Sequence, residues 1–169
     1  EFKPHHLLSL PNDQRLIVIS GGEPTLRKDL DEIVYVLRKK ARRVQIVSNG
    51  TQPEILVGLA RRFGDLSFRL SIDGIGIMND EIRGLKGGFA RCIDTIQRLR
   101  TLGVRDLGIS MTVWDRNATD LLPVGGGGHG PSAENPAGAF LDVALFIRVK
   151  PGPVEIRARN MLFAAGAGN

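Results

Sequence analysis

Four times between Arg15 and Leu122 the chain runs through the same succession: a short apolar run, a turn carrying glycine or a polar side chain, then apolar residues at helical spacing. The first unit shows it most fully. Leu16 to Ile19 is a run of branched apolar residues that stops at Gly21-Gly22-Glu23-Pro24, and Leu30, Ile33, Val34 and Leu37 then share one helical face. An unbroken apolar run suits a parallel strand buried on both faces, and the i, i+3, i+4, i+7 spacing suits the helix packed over it. Two glycines at the turn let the main chain come close to a ligand, and Glu23 adds a fixed negative charge there. Those features predict a site for a small zwitterion.

The helix after the first turn is expected from about Asp29 to Lys40, with Asp29 and Glu32 arranged as a capping box and Arg38, Lys39 and Lys40 suiting the dipole of its last turn. The second unit is a strand over Val44–Ser48, closed by Asn49-Gly50-Thr51, and a helix from Pro53 to about Phe63 with Ile55, Leu56, Leu59 and Ala60 inward. A third strand, Leu66 to Ile72, ends at Asp73-Gly74. A longer loop, Ile75 to Gly88, leads to a helix from about Phe89 to Leu102 with Phe89, Ile93, Ile96 and Leu99 aligned. A fourth strand, Leu107 to Val113, is followed by Asn117 as the N-cap of a helix over Ala118–Leu122. Four such units in succession predict a parallel α/β architecture, in which ligands collect at the carboxyl ends of the strands. Glu23, Ser48, Asn49, Ser71, Asp73 and Thr112 all fall on or just before those ends. Each has an ordinary turn or cap role; together they line one rim.

Composition excludes more than it identifies. At 169 residues the chain suffices for one domain with a real core, or most of a larger one. No apolar run approaches the roughly 18 residues that span a membrane. The single Cys92 precludes an internal disulfide framework and fits a reducing, cytoplasmic setting; it lies beside the apolar face of its helix, as a buried, inert thiol would. The +5 net charge is spread over several helices and aromatics make up only 5% of residues, so a solvated basic surface is read in preference to a nucleic-acid site. His5 and His6, in a polar lead-in, are read as an exposed, flexible pair without a third ligand nearby.

Gly21-Gly22-Glu23-Pro24-Thr25-Leu26, Ser48-Asn49-Gly50-Thr51, Leu70-Ser71-Ile72-Asp73-Gly74 and Glu81-Ile82-Arg83-Gly84, in this order and spacing, resemble the radical S-adenosylmethionine (SAM) enzymes, closest to the branch holding cofactor- and peptide-maturing members. The likeness covers about Arg15 to Leu122. It implies an incomplete parallel (β/α) barrel, TIM-barrel-like, whose four units supply the second to fifth strands of the family's barrel. It implies that Gly21, Gly22 and Glu23 bind the methionine amino group, and that Ser48 and Asn49 face the methionyl portion or substrate. Ser71 and Asp73 would approach the ribose hydroxyls, and Thr112 the ribose or carboxylate. Arg83 would either contact the SAM carboxylate or brace its loop. The family's cofactors are SAM and a [4Fe–4S] cluster, whose electron generates a 5′-deoxyadenosyl radical. A substrate and a reductant protein would be the partners.

The likeness breaks in two places. The family's Cys-x3-Cys-x2-Cys loop should precede Gly21, and no cysteine does so; a cluster needs several thiolates, and Cys92 is one residue on another helix. No metal ligands are therefore assigned, and this chain alone is expected to be inactive. Either a first βα unit is lost by truncation, as a start at Glu1 without methionine suggests, or the chain is a relative that binds SAM or a partner without catalysing. An exposed strand edge would then favour self-association or aggregation. From residue 125 the sequence turns rich in glycine, alanine and proline, dividing the chain into a barrel portion, 1–124, and a tail, 125–169. Within the tail Leu141 to Val149 alternates as a further strand, Val154 to Arg159 less clearly so, His129 is a bystander, and Gly125 to Ala139 should be mobile. An ordinary phosphate-binding α/β barrel is the rival reading, opposed by the acidic Glu23 immediately after the glycines.

Overall fold

A computed structural model describes residues 2–113 and 115–120, together with the course of two strands at 144–149 and 155–157. The elements are β1 (Ile17–Ile19), α1 (Leu30–Arg38), β2 (Val44–Ser48), α2 (Pro53–Phe63), β3 (Ser67–Ser71), α3 (Ile77–Arg83), α4 (Gly88–Thr101), β4 (Leu107–Val113), β5 (Ala144–Val149) and β6 (Glu155–Arg157). The strands form one sheet in chain order; β1 to β5 are parallel and β6 returns antiparallel. The expected incomplete (β/α) barrel is present, and the further strand anticipated in the tail lies beside β4. The expectations for His129 and Gly125–Ala139 fall outside the described residues.

The core is made where the periodicity placed it. Leu30, Ile33, Val34 and Leu37 of α1 and Phe89, Ile93, Ile96 and Leu99 of α4 are buried against Val44, Ile46, Phe68, Leu70, Ile109 and Met111 of the sheet. On β2 the burial alternates, with Val44, Ile46 and Ser48 buried and Gln45 and Val47 half-buried. Across the strand entrances, Asp106 gathers Ser67 Oγ at 2.5 Å, Arg69 Nη2 at 2.7 Å and Arg43. Burial works against the Asp106 carboxylate, but the Ser67 hydroxyl and the Arg69 and Arg43 guanidiniums outweigh it and hold its pKa below the ordinary value.

Several local expectations are corrected. β1 is not buried on both faces: it is the sheet edge, and Leu16 and Val18 are 42% and 46% exposed. Ile55 points to solvent, and α2 buries Leu56, Val57, Leu59, Ala60 and Phe63 instead. Asp29 stands at the N-cap of α1, its carbonyl accepting the Ile33 amide at 3.0 Å, but its side chain makes no cap hydrogen bond: its backbone (φ −102°, ψ 15°) is not extended, and its carboxylate pairs with Arg27 at 2.9 and 2.7 Å. The stretch Ile75 to Gly88 is not all loop, since α3 occupies its middle and ends on Gly84 in the left-handed region (φ 65°). The lead-in forms a 3₁₀ helix over Pro4–Ser9 that packs on α1, although His5 and His6 remain exposed. Asn117 does not cap by its side chain: its Nδ2 donates to the carbonyls of Asp73 and Thr112, both at 2.8 Å, and among the described residues a 3₁₀ turn, Ala118–Asp120, follows.

Candidate functional site

At the carboxyl ends of β1, β2 and β3 lies a cleft of about 220 Å³ lined by Gly21, Gly22, Glu23, Ser48, Asn49, Ser71 and Arg83, with Ser20 and Val47. Seven of the nine residues singled out from the sequence therefore meet in one place. Glu23 is the most elaborately held. Its Oε1 accepts the Thr25 amide at 3.1 Å, the Thr25 hydroxyl at 2.7 Å and the Ser48 hydroxyl at 2.7 Å; its Oε2 accepts the Asn49 amide at 2.7 Å. Every one of these donors is neutral, and among the described residues no cation pairs with Glu23. A carboxylate has about four lone-pair positions shared between two oxygens, so Oε2 keeps room for another donor.

The turn after β2 is built to present the Asn49 amide. Ser48 Oγ accepts the Gly50 amide at 3.0 Å, and Asn49 Oδ1 accepts the Thr51 amide and hydroxyl at 2.9 and 2.7 Å. From α4, fully buried Thr95 donates to the Gly50 carbonyl at 2.6 Å. Gly50 sits at φ +71°, and a Cβ there would lie 2.7 Å from Cys92 Sγ. Burial pushes the Cys92 thiol up to about 12, Arg83 pulling slightly down and Glu23 slightly up. Gly21 adopts φ +139°, and neither Gly21 nor Gly22 has an atom within 4 Å of where a Cβ would stand. Open space therefore faces both glycines.

Asp73 and Thr112 do not line the cleft. Asp73 Oδ2 accepts Arg83 Nη1 at 2.5 Å and Oδ1 accepts the Thr112 amide at 2.8 Å, while the Asp73 amide donates to Asn79 Oδ1 at 2.9 Å. Asp80, beside Asn79, accepts the Phe89 amide at 2.8 Å and the Gly87 amide, holding the start of α4. Sequence reasoning missed Thr25, Asn79, Asp80 and Thr95. The only hint was spacing: Thr25 follows Glu23 by two, and Asn79 precedes Arg83 by one helical turn.

A negative carboxylate with spare capacity and an arginine on one small cleft suit the ammonium and carboxylate of an amino acid. The donor set for an iron–sulfur cluster is a different matter. The sequence has one cysteine, it is 1% exposed, and no three His, Cys, Asp or Glu side chains converge among the described residues. These residues do not fit a cluster.

An incomplete parallel (β/α) barrel with a Gly-Gly-Glu turn at the mouth of its first strand defines the class of protein. The family model described as the radical SAM superfamily matches residues 7–120, and the chain belongs to that family. It is 35% identical over 107 residues to Fe-coproporphyrin III synthase of Methanosarcina barkeri, and 33% identical over 109 residues to the sporulation killing factor maturation protein SkfB of Bacillus subtilis. These matches cover 63% and 64% of this chain but 27% and 26% of the relatives, so the chain spans about a quarter of their length. Among solved structures, native anSMEcpe with bound AdoMet and the Kp18Cys peptide superposes with a TM-score of 0.60 at 17% identity, over 89% of this chain and 41% of that one, which shows the shared fold. Among the described residues no helix is long and apolar enough to cross a membrane.

Proposed function

We propose that this chain is a SAM-binding portion of a radical SAM protein, and that the cleft between Gly21 and Arg83 holds the methionyl end of SAM. The observation that carries this is the Glu23 carboxylate, fixed by four neutral donors with no cation among the described residues. The SAM ammonium would complete it, through a charge-assisted bond at Oε2 and the carbonyls of the open Gly21-Gly22 turn. Arg83 would take the carboxylate, and Ser71 and Asn49 would border the ligand. Thr112, outside the cleft, is left a main-chain role toward Asp73. When bound, SAM supplies the sulfonium that the family cleaves to a radical. The residues of this chain bind and orient it, and no electron-transfer step is assigned to them.

The cleft, at about 220 Å³, is smaller than the roughly 300–1,000 Å³ of typical ligand pockets. It therefore suits the amino-acid end better than the whole molecule. The lone cysteine favours a second reading, in which the chain binds SAM without catalysing. The relatives' names include a coproporphyrin synthase and a maturation protein, and a substrate of one of those two classes, a reductant protein and a cytoplasmic setting belong to the same proposal. Calorimetry of the chain with SAM tests the reading. Saturable one-to-one binding that is lost in Glu23→Ala is the expected result, and no heat at millimolar SAM would overturn it. Anaerobic iron and sulfide reconstitution separates the readings: no stoichiometric cluster is expected on this chain.

A further inference from the structure

Resting on that reading, we infer that Asp73 is a positioning residue that acts on the ligand through Arg83, aiming the guanidinium at the carboxylate of the bound amino-acid group. Each polar group of Asp73 has a partner within the protein. Oδ2 holds Arg83, Oδ1 holds the Thr112 amide, the main-chain N–H goes to Asn79 and the carbonyl accepts from Asn117. The residue is 8% exposed and does not border the cleft. Because Asp73 lies outside the cleft lining, a ligand in the cleft meets Arg83 rather than the Asp73 oxygens.

Arg83 is differently placed. It borders the cleft, and its side chain is 27% exposed. Nη1 is engaged by Asp73, and the guanidinium has five N–H donors in a fixed fork, so a face of it stays available to a planar carboxylate. Asn79 and Arg83 lie four apart on α3 and therefore share one helical face, and both grip Asp73, one at its amide and the other at its carboxylate. Asp73 thus sets both the seat of α3 and the angle of its arginine. The end of β3 reads the ligand through a side chain ten residues further on.

The test uses two ligands that differ only in the group at issue: SAM, and decarboxylated SAM, which keeps the amine, sulfonium and adenosyl groups. Asp73→Asn preserves an acceptor for the Thr112 amide and removes the charge that holds Arg83. In calorimetry of the full chain, Asp73→Asn should raise the Kd for SAM about tenfold and leave that for decarboxylated SAM within about twofold. Arg83→Gln, which leaves Asp73 in place, should give the same selective loss and guards against a folding failure in the first variant. Equal losses for both ligands would place Asp73 on the shared ribose portion and overturn the inference while sparing SAM binding itself. No change with either ligand would overturn it as well. Failure of the unsubstituted chain to bind SAM would remove the proposed function and this inference together.

Discussion

The Ser48 hydroxyl donates to Oε1 of Glu23 at 2.7 Å, although the two residues stand 25 positions apart and leave different strands. Ser48 is 3% exposed, and the same oxygen accepts the Gly50 amide. One buried hydroxyl therefore joins the Gly-Gly-Glu turn to the turn after β2. Ser48→Ala leaves the Gly50 amide without its partner and frees one side of the carboxylate. A loss of about 1–3 kcal/mol in unfolding free energy is expected for a buried polar group left unpaired. SAM affinity should fall with it, by about tenfold, because a carboxylate that keeps only its Thr25 and Asn49 donors meets the ammonium less well aligned. Denaturant titration and calorimetry on the same sample check both.

Gly50 gives a second, sharper test, since its two constraints can be separated. Its φ of +71° disfavours any L side chain, and its would-be Cβ meets Cys92 Sγ at 2.7 Å. Gly50→Ala should destabilise the chain by about 1–3 kcal/mol from strain and overpacking combined. In a Cys92→Ala background, which has its own cavity cost, the sulfur is gone and Gly50→Ala should cost only the backbone share, about 1 kcal/mol. Strictly additive losses in the double variant would show that the two residues do not touch.

How far the sequence carried depended on what kind of physics made each feature. Helix faces set by apolar spacing, such as Leu30, Ile33, Val34 and Leu37, were legible because burial follows periodicity. The convergence of Glu23, Ser48, Asn49 and Ser71 followed from parallel strands ending on one rim. Position along a strand, however, does not give the direction of a side chain: Asp73 reaches the rim but turns to Arg83 and Thr112. α3 was hidden for another reason. Its seven residues are held by Asn79 and Asp80 bonding to main chain elsewhere, a long-range arrangement with no apolar period to announce it. The exposure of Val18 was equally unreadable, because an apolar run does not say whether a neighbour lies beyond it.

Cys92 should behave as a protected thiol. It is 1% exposed and its pKa is pushed to about 12, chiefly by burial. Against an ordinary thiol near 8.5, that leaves far less of the reactive thiolate at neutral pH. Iodoacetamide at pH 7.5 is expected to leave the native chain unlabelled over hours and to label it within minutes in denaturant. Rapid native labelling would show that the α4 contact with Gly50 opens readily.

The Asp106 cluster predicts a pH dependence with a definite sign. Its folded pKa lies below the unfolded value, so its contribution is present above about pH 4 and is lost as pH falls through the folded value. In urea titrations the unsubstituted chain should exceed Asp106→Asn near pH 7, and the gap should close on acidification below about pH 4. A gap that stays constant to pH 2.5 would mean that the Ser67, Arg69 and Arg43 contacts do not depend on the charge.

The edge of the sheet yields the last prediction. β1 pairs with β2 on one side only among the described residues, and Leu16 and Val18 beside it are 42% and 46% exposed. An open edge flanked by apolar side chains is a template for another strand, and natural sheets guard such edges with charge or proline. Neither stands at Ile17, Val18 or Ile19. The chain is therefore expected to self-associate through β1 at micromolar concentration. Val18→Lys places a charge on the edge without touching the β1–β2 register of Val18 with Gln45. Multi-angle light scattering should show a concentration-dependent mass above 18.4 kDa for the unsubstituted chain and a shift toward 18.4 kDa for Val18→Lys. A monomer in both cases would mean that the edge is covered in solution, and the mass of an unchanged oligomer in both would move the contact elsewhere.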